Sequence, residues 1–201
     1  MAKLQLNKSS LSREQKHLKT YRQFLPSLDL KRQELMRQQA KAKESLLNTE
    51  SEIKKCLQIT GGEIPMLSNS RIDLQDLVTV TSVKLSKENI MGASLPVLDN
   101  VELKVRKYSF LAKPHWVDAV VEKLKYLLML RIRVQVEKRR LELLNVAVKK
   151  ITQRVNLFDK VLMPRAEKNI KRIKIYLSDS ERASIVIAKV AKKKRQTEVL
   201  L

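Results

Sequence analysis

Along the second half of the chain, Leu141, Leu144, Val148, Ile151, Val155, Phe158 and Leu162 follow one another in alternating steps of three and four residues. Such spacing puts one apolar seam along a helix, the a/d pattern of a coiled coil. Stepping back by sevens from Leu141 meets Val134, Leu127 and Val120, so the series stays apolar almost to Trp116. Lys149, Lys150, Arg154, Asp159 and Lys160 lie between the seam positions and demand water. One heptad would suit any amphipathic helix in a bundle. A seam this long exceeds the ~20 residues of an ordinary globular helix and predicts a coiled-coil arm.

The start of the chain carries a second, weaker seam. Leu11, Leu18 and Leu25 repeat by seven, with Tyr21, Leu28, Leu35 and Ala42 in the complementary position, and Leu46 and Ile53 resume the first series. Arg32 and Gln39 interrupt it. Ser10 or Ser12 is a candidate cap with Arg13 and Glu14 in the opening turn. This arm is expected from about Ser12 to Ile59, kinked or broken at Pro26, whose ring removes a backbone donor. Gly61-Gly62 and Pro65 are expected to end it.

Between the arms the period changes. Val78 to Val83 is β-branched, and Val101, Leu103 and Val105 alternate with Glu102, Lys104 and Arg106, so two strands are predicted. Gly92, Pro96 and Asp99-Asn100 are read as the link between them. Pro114 opens the second arm, which is expected to reach about Val190 with a kink at Pro164 and seam spacing again at Ile170, Ile173 and Leu177. The fold class predicted is mainly α: a long antiparallel two-helix coiled coil with a small β-containing head at the fold-back. Its parts are an N-terminal arm, 1–59, a head, 60–115, and a C-terminal arm, 116–201. Folding back at the head sets Ser12 near residue 190 and Leu57 near residue 145. Trp116 to Leu144 would then project beyond the first arm. There Val120, Val121, Leu124, Leu127, Leu128, Leu130, Ile132, Val134 and Val136 spread too widely around the helix for a two-stranded seam. Cover from the head and from a separate subunit is expected, with Leu128 and Ile132 as contact residues.

Composition supports an elongated helical molecule, since 201 residues include only 3 Gly, 5 Pro and 4% aromatic side chains. The net charge of +21 divides as +7 over residues 1–59, +1 over 60–115 and +13 over 116–201. Basic arms of this kind track nucleic acid, lie on anionic membranes or sit inside an acidic protein sleeve. Lys189 to Arg195 is the densest basic cluster, and it lacks the aromatic platforms that single-strand binding uses. Cys56, the one cysteine, forms no internal disulfide and falls on the first seam, where a buried thiol is expected. No apolar run approaches the ~20 residues of a membrane span, and MAKLQLNKSS lacks the apolar core of a signal peptide, so a soluble cytoplasmic protein is expected.

Chemistry-bearing patterns are missing. No GxxxxGK loop occurs, His17 and His115 share no ligand spacing, and the carboxylates are scattered. No catalytic, cofactor or metal site is expected. A basic coiled-coil nucleic-acid-binding protein remains the alternative to a structural role, and an enzyme is the weaker rival.

Arg154-Val155-Asn156-Leu157-Phe158 followed by Pro164, with Ile170 to Leu177 and Asp179-Ser180-Glu181-Arg182, resembles the C-terminal arm of the D-subunit family of V-type (A/V-type) rotary ATPases. Asn7 to Leu11, Leu18-Lys19, Lys31 to Leu35, and Asn89 to Gly92 through Leu95-Pro96-Val97 are similar to other parts of that family. Pro26 departs from it, where many members run an unbroken helix. The resemblance implies a non-catalytic central rotor shaft without cofactor. Both chain ends would enter a hexamer of catalytic and non-catalytic nucleotide-binding subunits. The head would face the membrane ring through a funnel-shaped subunit, and the small F-type stalk subunit would clasp the side. It implies no nucleic-acid partner and a cytoplasmic place peripheral to the membrane. At the tip, Arg182, Lys189 and Lys193 become the expected contacts, hydrated charges that let the shaft turn without locking.

Overall fold

A computed structural model of the chain describes residues 5–68, 74, 76–108 and 113–198. The chain is mainly helical, with α1 (Lys8–Glu63), β1 (Val78–Ile90), β2 (Ala93–Val105), α2 (Trp116–Leu157) and α3 (Met163–Glu198) in order. A short 3-10 turn, Pro65–Ser68, follows α1, and a π-helical turn, Phe158–Leu162, joins α2 to α3. Two compact units result: one built from residues up to Leu30 and from Ile151 onward, the other from Lys31–Lys150.

In the first unit the start of α1 runs antiparallel to α3. Lys8 Nζ lies 3.9 Å from Glu181, Arg22 donates to Glu167 at 3.0 Å, and Tyr21 meets Phe158 edge-on with centroids 5.4 Å apart. His17 stacks on Tyr21 at 6.0 Å. The seam of the C-terminal arm is buried here at Ile151, Val155, Ala166 and Ile173. Ile151 to Ile173 is one residue more than three heptads. The π turn absorbs that residue, because its bonds span five positions, as from Met163 N–H to Phe158 O. Pro164 sits just after it. In a plain α-helix its ring would press on the carbonyl of residue 160, and the wider turn relieves that clash. The kink expected at Pro164 is thus a π turn, and α3 continues to Glu198, past the expected end near Val190.

The first helix corrects three expectations. It starts at Lys8, because Asn7 is the cap: its Oδ1 accepts the Ser10 N–H at 2.7 Å while Leu11 N–H bonds to Asn7 O. Ser10 is buried inside the first turn. Pro26 lies inside α1 without breaking it, since its neighbours in a 56-residue helix keep their own bonds. Gly61-Gly62 are the last turn of α1 rather than its stop, and Ile64 N–H still bonds to Thr60 O at 3.0 Å.

In the second unit the rest of α1 runs antiparallel to α2. Gln39 donates to Asn145 at 2.5 Å, Ser45 Oγ to Glu137 at 2.7 Å, and Lys138 and Lys123 pair with Glu50 and Glu63 at 3.1 and 3.2 Å. Gln39, which interrupts the sequence seam, thereby finds a polar partner on the facing helix. Leu35, Ala42 and Thr49 are buried at heptad spacing, and Cys56 continues the row half-buried. These pairs shift the expected register. Glu63 reaches Lys123, so most of Trp116 to Leu144 lies alongside α1 and only the first turns of α2, up to about residue 122, extend past its end, and Leu57 does not lie near residue 145.

The hairpin β1–β2 turns at Met91-Gly92, both with positive φ (52° and 87°), the two-residue geometry that matches strand twist. Asn89 Oδ1 accepts the Gly92 N–H at 3.0 Å. Pro96 and Asp99-Asn100 belong to β2 rather than to the link. Pro96 pairs with Lys87 and is tolerated because each strand of a two-stranded sheet has a free edge. The register slips at Thr81 on β1 and at Asp99 on β2, one bulge per strand. At the base, Val78 and Val105 pack with Leu74, Tyr108 and Trp116 on Leu77, Val117 and Val121.

Candidate partner-binding surfaces

Four surfaces carry the apolar or charged groups that a partner would recognise. The first lies beside the hairpin base. Leu128 is half-buried in a cleft of about 330 Å³ whose other walls include Leu74, Leu77, Val78, Leu124 and Arg131. Ile132, one turn on, is half-buried outside that cleft. Val120, Val121, Leu130 and Val134 on the same helix are buried. The wide apolar face of α2 is therefore covered in part by its own chain, and Leu128 and Ile132 sit at the margin of what is left.

A second cleft, of about 470 Å³, opens where β2 meets the helices. Pro96, Val97 and Leu98 form one side, Ser45 and Glu52 another, and Tyr126, Met129, Arg133, Glu137 and Arg140 the floor. Tyr126 and Met129 are exposed. Arg140 ties the hairpin to α2 by donating to Glu88 at 2.8 Å, and Leu95 on the facing strand is fully buried. Glu137 accepts from both Ser45 and Arg133.

The hairpin supplies a third surface. The pairs Val80–Leu103, Val83–Val101 and Leu85–Leu98 follow one another along one face of the ribbon. Val80, Val83 and Leu85 are exposed. The opposite face is polar: Glu102 accepts from Lys84 and Ser82, both at 2.8 Å. The Lys84 ammonium, helped by the Ser82 hydroxyl, holds the Glu102 carboxyl below its usual range. Near the base, Tyr108 donates to Asp118 in the first turn of α2 at 2.5 Å, which raises the phenol above its usual range. Lys113 lies over the same ring at 5.7 Å.

The fourth surface is the far end of α3. Lys8, at the start of α1, meets Glu181, and α3 runs on to Glu198. Ser12 thus lies well short of residue 190. Arg182, Lys189 and Lys193 are all exposed here. Between them stands something the charge pattern obscured: Ile185, Val186, Ile187 and Val190 are 56, 59, 69 and 51% exposed. At 3.6 residues per turn these four spread over roughly 200° of the helix, and only the small Ala188 and Ala191 carry the apolar surface further round. The unbroken Ile185-Val186-Ile187 run was the available signal, hidden by the basic residues that follow it.

Leu128 and Ile132 are thus neighbours at the hairpin end of α2, while Arg182, Lys189 and Lys193 share the end of α3. Sequence reasoning missed the Tyr126–Met129 cleft, the hairpin face and the apolar collar. Among the described residues no group of three or more His, Cys, Asp and Glu could hold a metal ion. None of their helices is long and apolar enough to cross a membrane.

Comparison with known proteins adds the family context. The family of the ATP synthase D subunit matches residues 10–193. A V-type ATP synthase D subunit from Borreliella burgdorferi is 32% identical over 192 residues, covering 96% of this chain and 95% of that protein. The V-type ATP synthase D subunit from Chlamydia muridarum is 28% identical, covering 97% of each. That from Chlamydia felis is 34% identical over 117 residues, 58% of this chain and 56% of the other.

Proposed function

Since the chain belongs to the family of the ATP synthase D subunit, a non-catalytic component of the V-type assembly, we propose that it is the central rotor shaft of that complex. It carries torque between the nucleotide-binding hexamer and the membrane ion-translocating ring. Its parts are a coiled-coil arm, 1–59, a head, 60–115, and a second arm, 116–201. The tip enters the hexamer of catalytic and non-catalytic subunits, the head meets the funnel-shaped subunit above the ring, and the small F-type stalk subunit docks at Leu128 and Ile132. The shaft works on the cytoplasmic side, peripheral to the membrane.

The observation that carries this reading is the apolar collar on α3. A helix segment whose exposed apolar side chains spread over more than half its circumference is normally enclosed. One apolar stripe would fit a one-sided partner and hold it at one angle. A band this wide suits an enclosing sleeve better than a one-sided partner, because turning the helix keeps some apolar side chain in contact over more than half the circle. Arg182 and Lys193 then flank the apolar band and Lys189 stands within it, hydrated charges whose solvated ion pairs contribute only ~0–1 kcal/mol each and do not lock the angle. The resemblance implies a tip of hydrated basic side chains, and the exposed apolar band is an addition to it.

The test is ATP-driven ion pumping by the reconstituted complex, comparing the full chain with one lacking residues 188–201 and with the Ile185→Ser, Val186→Ser, Ile187→Ser triple variant. Both changes should uncouple pumping from ATP turnover while the head keeps its partners. Unchanged pumping together with tight, tail-dependent DNA binding would instead support the basic nucleic-acid-binding alternative.

A further inference from the structure

Two backbone weak points occur in the first unit. Pro26 lacks the N–H that would bond four residues back on α1. On the opposing helix, the π turn Phe158–Leu162 replaces the four-residue step with a five-residue one, and Pro164 removes a donor immediately after it. The pair contacts show that these features face each other. Carrying Tyr21–Phe158 and Arg22–Glu167 along an antiparallel pair puts Pro26 opposite residues between 153 and 163. The π turn lies inside that span.

Packing is thin at the same level. On α1 no residue between Ser10 and Leu35 is buried, and on the opposing helix none of 156–165 is, although Val155 and Ala166 on either side of that stretch are. Local opening is easiest where few apolar contacts are buried and backbone bonds are missing. Kinks and bends in long helices also concentrate at prolines and π turns. A single weak point would leave the other helix as an intact splint. Two at one level leave no splint.

We propose that Pro26 and the π turn with Pro164 form a paired flexure, a level at which both helices twist and bend more readily than above or below it. Its use as an elastic element between torque steps rests on the shaft reading. The flexure itself is a property of the backbone.

Amide hydrogen exchange on the full-length chain tests it, and reads the flexure whether or not the chain rotates, so its failure is distinct from failure of the shaft reading. In the native chain, residues 22–30 and 158–165 should exchange at least about tenfold faster than 32–40 and 144–155. Pro26→Ala restores the missing donor on an exposed position, so it should not impair folding. Because the two helices yield together, this variant should slow exchange about tenfold in residues 158–165 as well as in 22–30. Slowing confined to 22–30 would mean two unrelated weak points and would overturn the proposal. Equal protection of both levels in the native chain would overturn it too.

Discussion

Deleting a residue from the C-terminal arm should be tolerated at one place and damaging at another, and the π turn says where. Removing exposed Lys149, within regular α2, rotates everything downstream by about 100° relative to the seam above it. Buried Ile151, Val155 and Ile173 would turn toward water, with half-buried Leu162, Ile170 and Leu177 following. At about 1.5–3 kcal/mol for a buried aliphatic side chain and half that for each partly buried one, the loss is roughly 7–13 kcal/mol. That is comparable with the ~5–15 kcal/mol that holds a typical native domain. Removing Asp159 instead takes out the extra residue that the π turn accommodates. Downstream positions keep their phase, and the remaining cost is the Pro164 ring against a now regular helix, about 3 kcal/mol. Combining the Asp159 deletion with Pro164→Ala should remove even that and restore near-native stability. Urea unfolding of the full-length chain, followed by helical circular dichroism, measures all three. A Lys149 deletion no more destabilising than the double change at the π turn would mean that the π turn does not absorb the extra residue.

Other expectations concern the second unit. Leu128→Glu with Ile132→Glu should release the small partner protein in a pull-down while the circular dichroism of the chain stays unchanged; retention of the partner would assign that face to the chain's own cover. Leu95→Ala, at a fully buried position, should cost about 2–5 kcal/mol and loosen the hairpin from α2, seen as faster exchange of β2 amides. Glu102 has a folded pKa below its unfolded value, so its contribution to stability is present above the usual carboxylate range and is lost as pH falls through the lowered value; Lys84→Ala should reduce that acid sensitivity in unfolding curves, with the Ser82 hydroxyl retaining the remainder. Tyr108 is shifted the other way, so its contribution is present below the usual phenol range and lost as pH rises through the raised value. Absorbance titration at alkaline pH should show one late phenol that Tyr108→Phe abolishes.

Periodicity alone determined that this chain makes two long helices around a short β segment, because a seam of apolar residues is a local property that every turn repeats. The absence of phosphate-loop and metal-ligand spacings was equally legible. The resemblance at Arg154 to Phe158 and around Pro164 pointed to the family that the comparison over residues 10–193 then showed. Other features depended on partners distant in sequence or on local competition between caps. Asn7 outcompetes Ser10 as the cap because its carboxamide reaches the Ser10 N–H. Pro96 and Asp99 look like turn residues, yet cross-strand pairing and a bulge hold both inside β2. The extra residue between Phe158 and Ile173 is countable in the sequence, but only packing against α1 explains why the helix widens rather than letting Ile173 rotate outward. Helix register, above all, is a long-range quantity. A periodic seam permits several offsets of one heptad, and tertiary pairs such as Lys8–Glu181 and Glu63–Lys123 select one. That choice brings α1 down over α2 and leaves the apolar collar at Ile185 to Val190 without cover from α1.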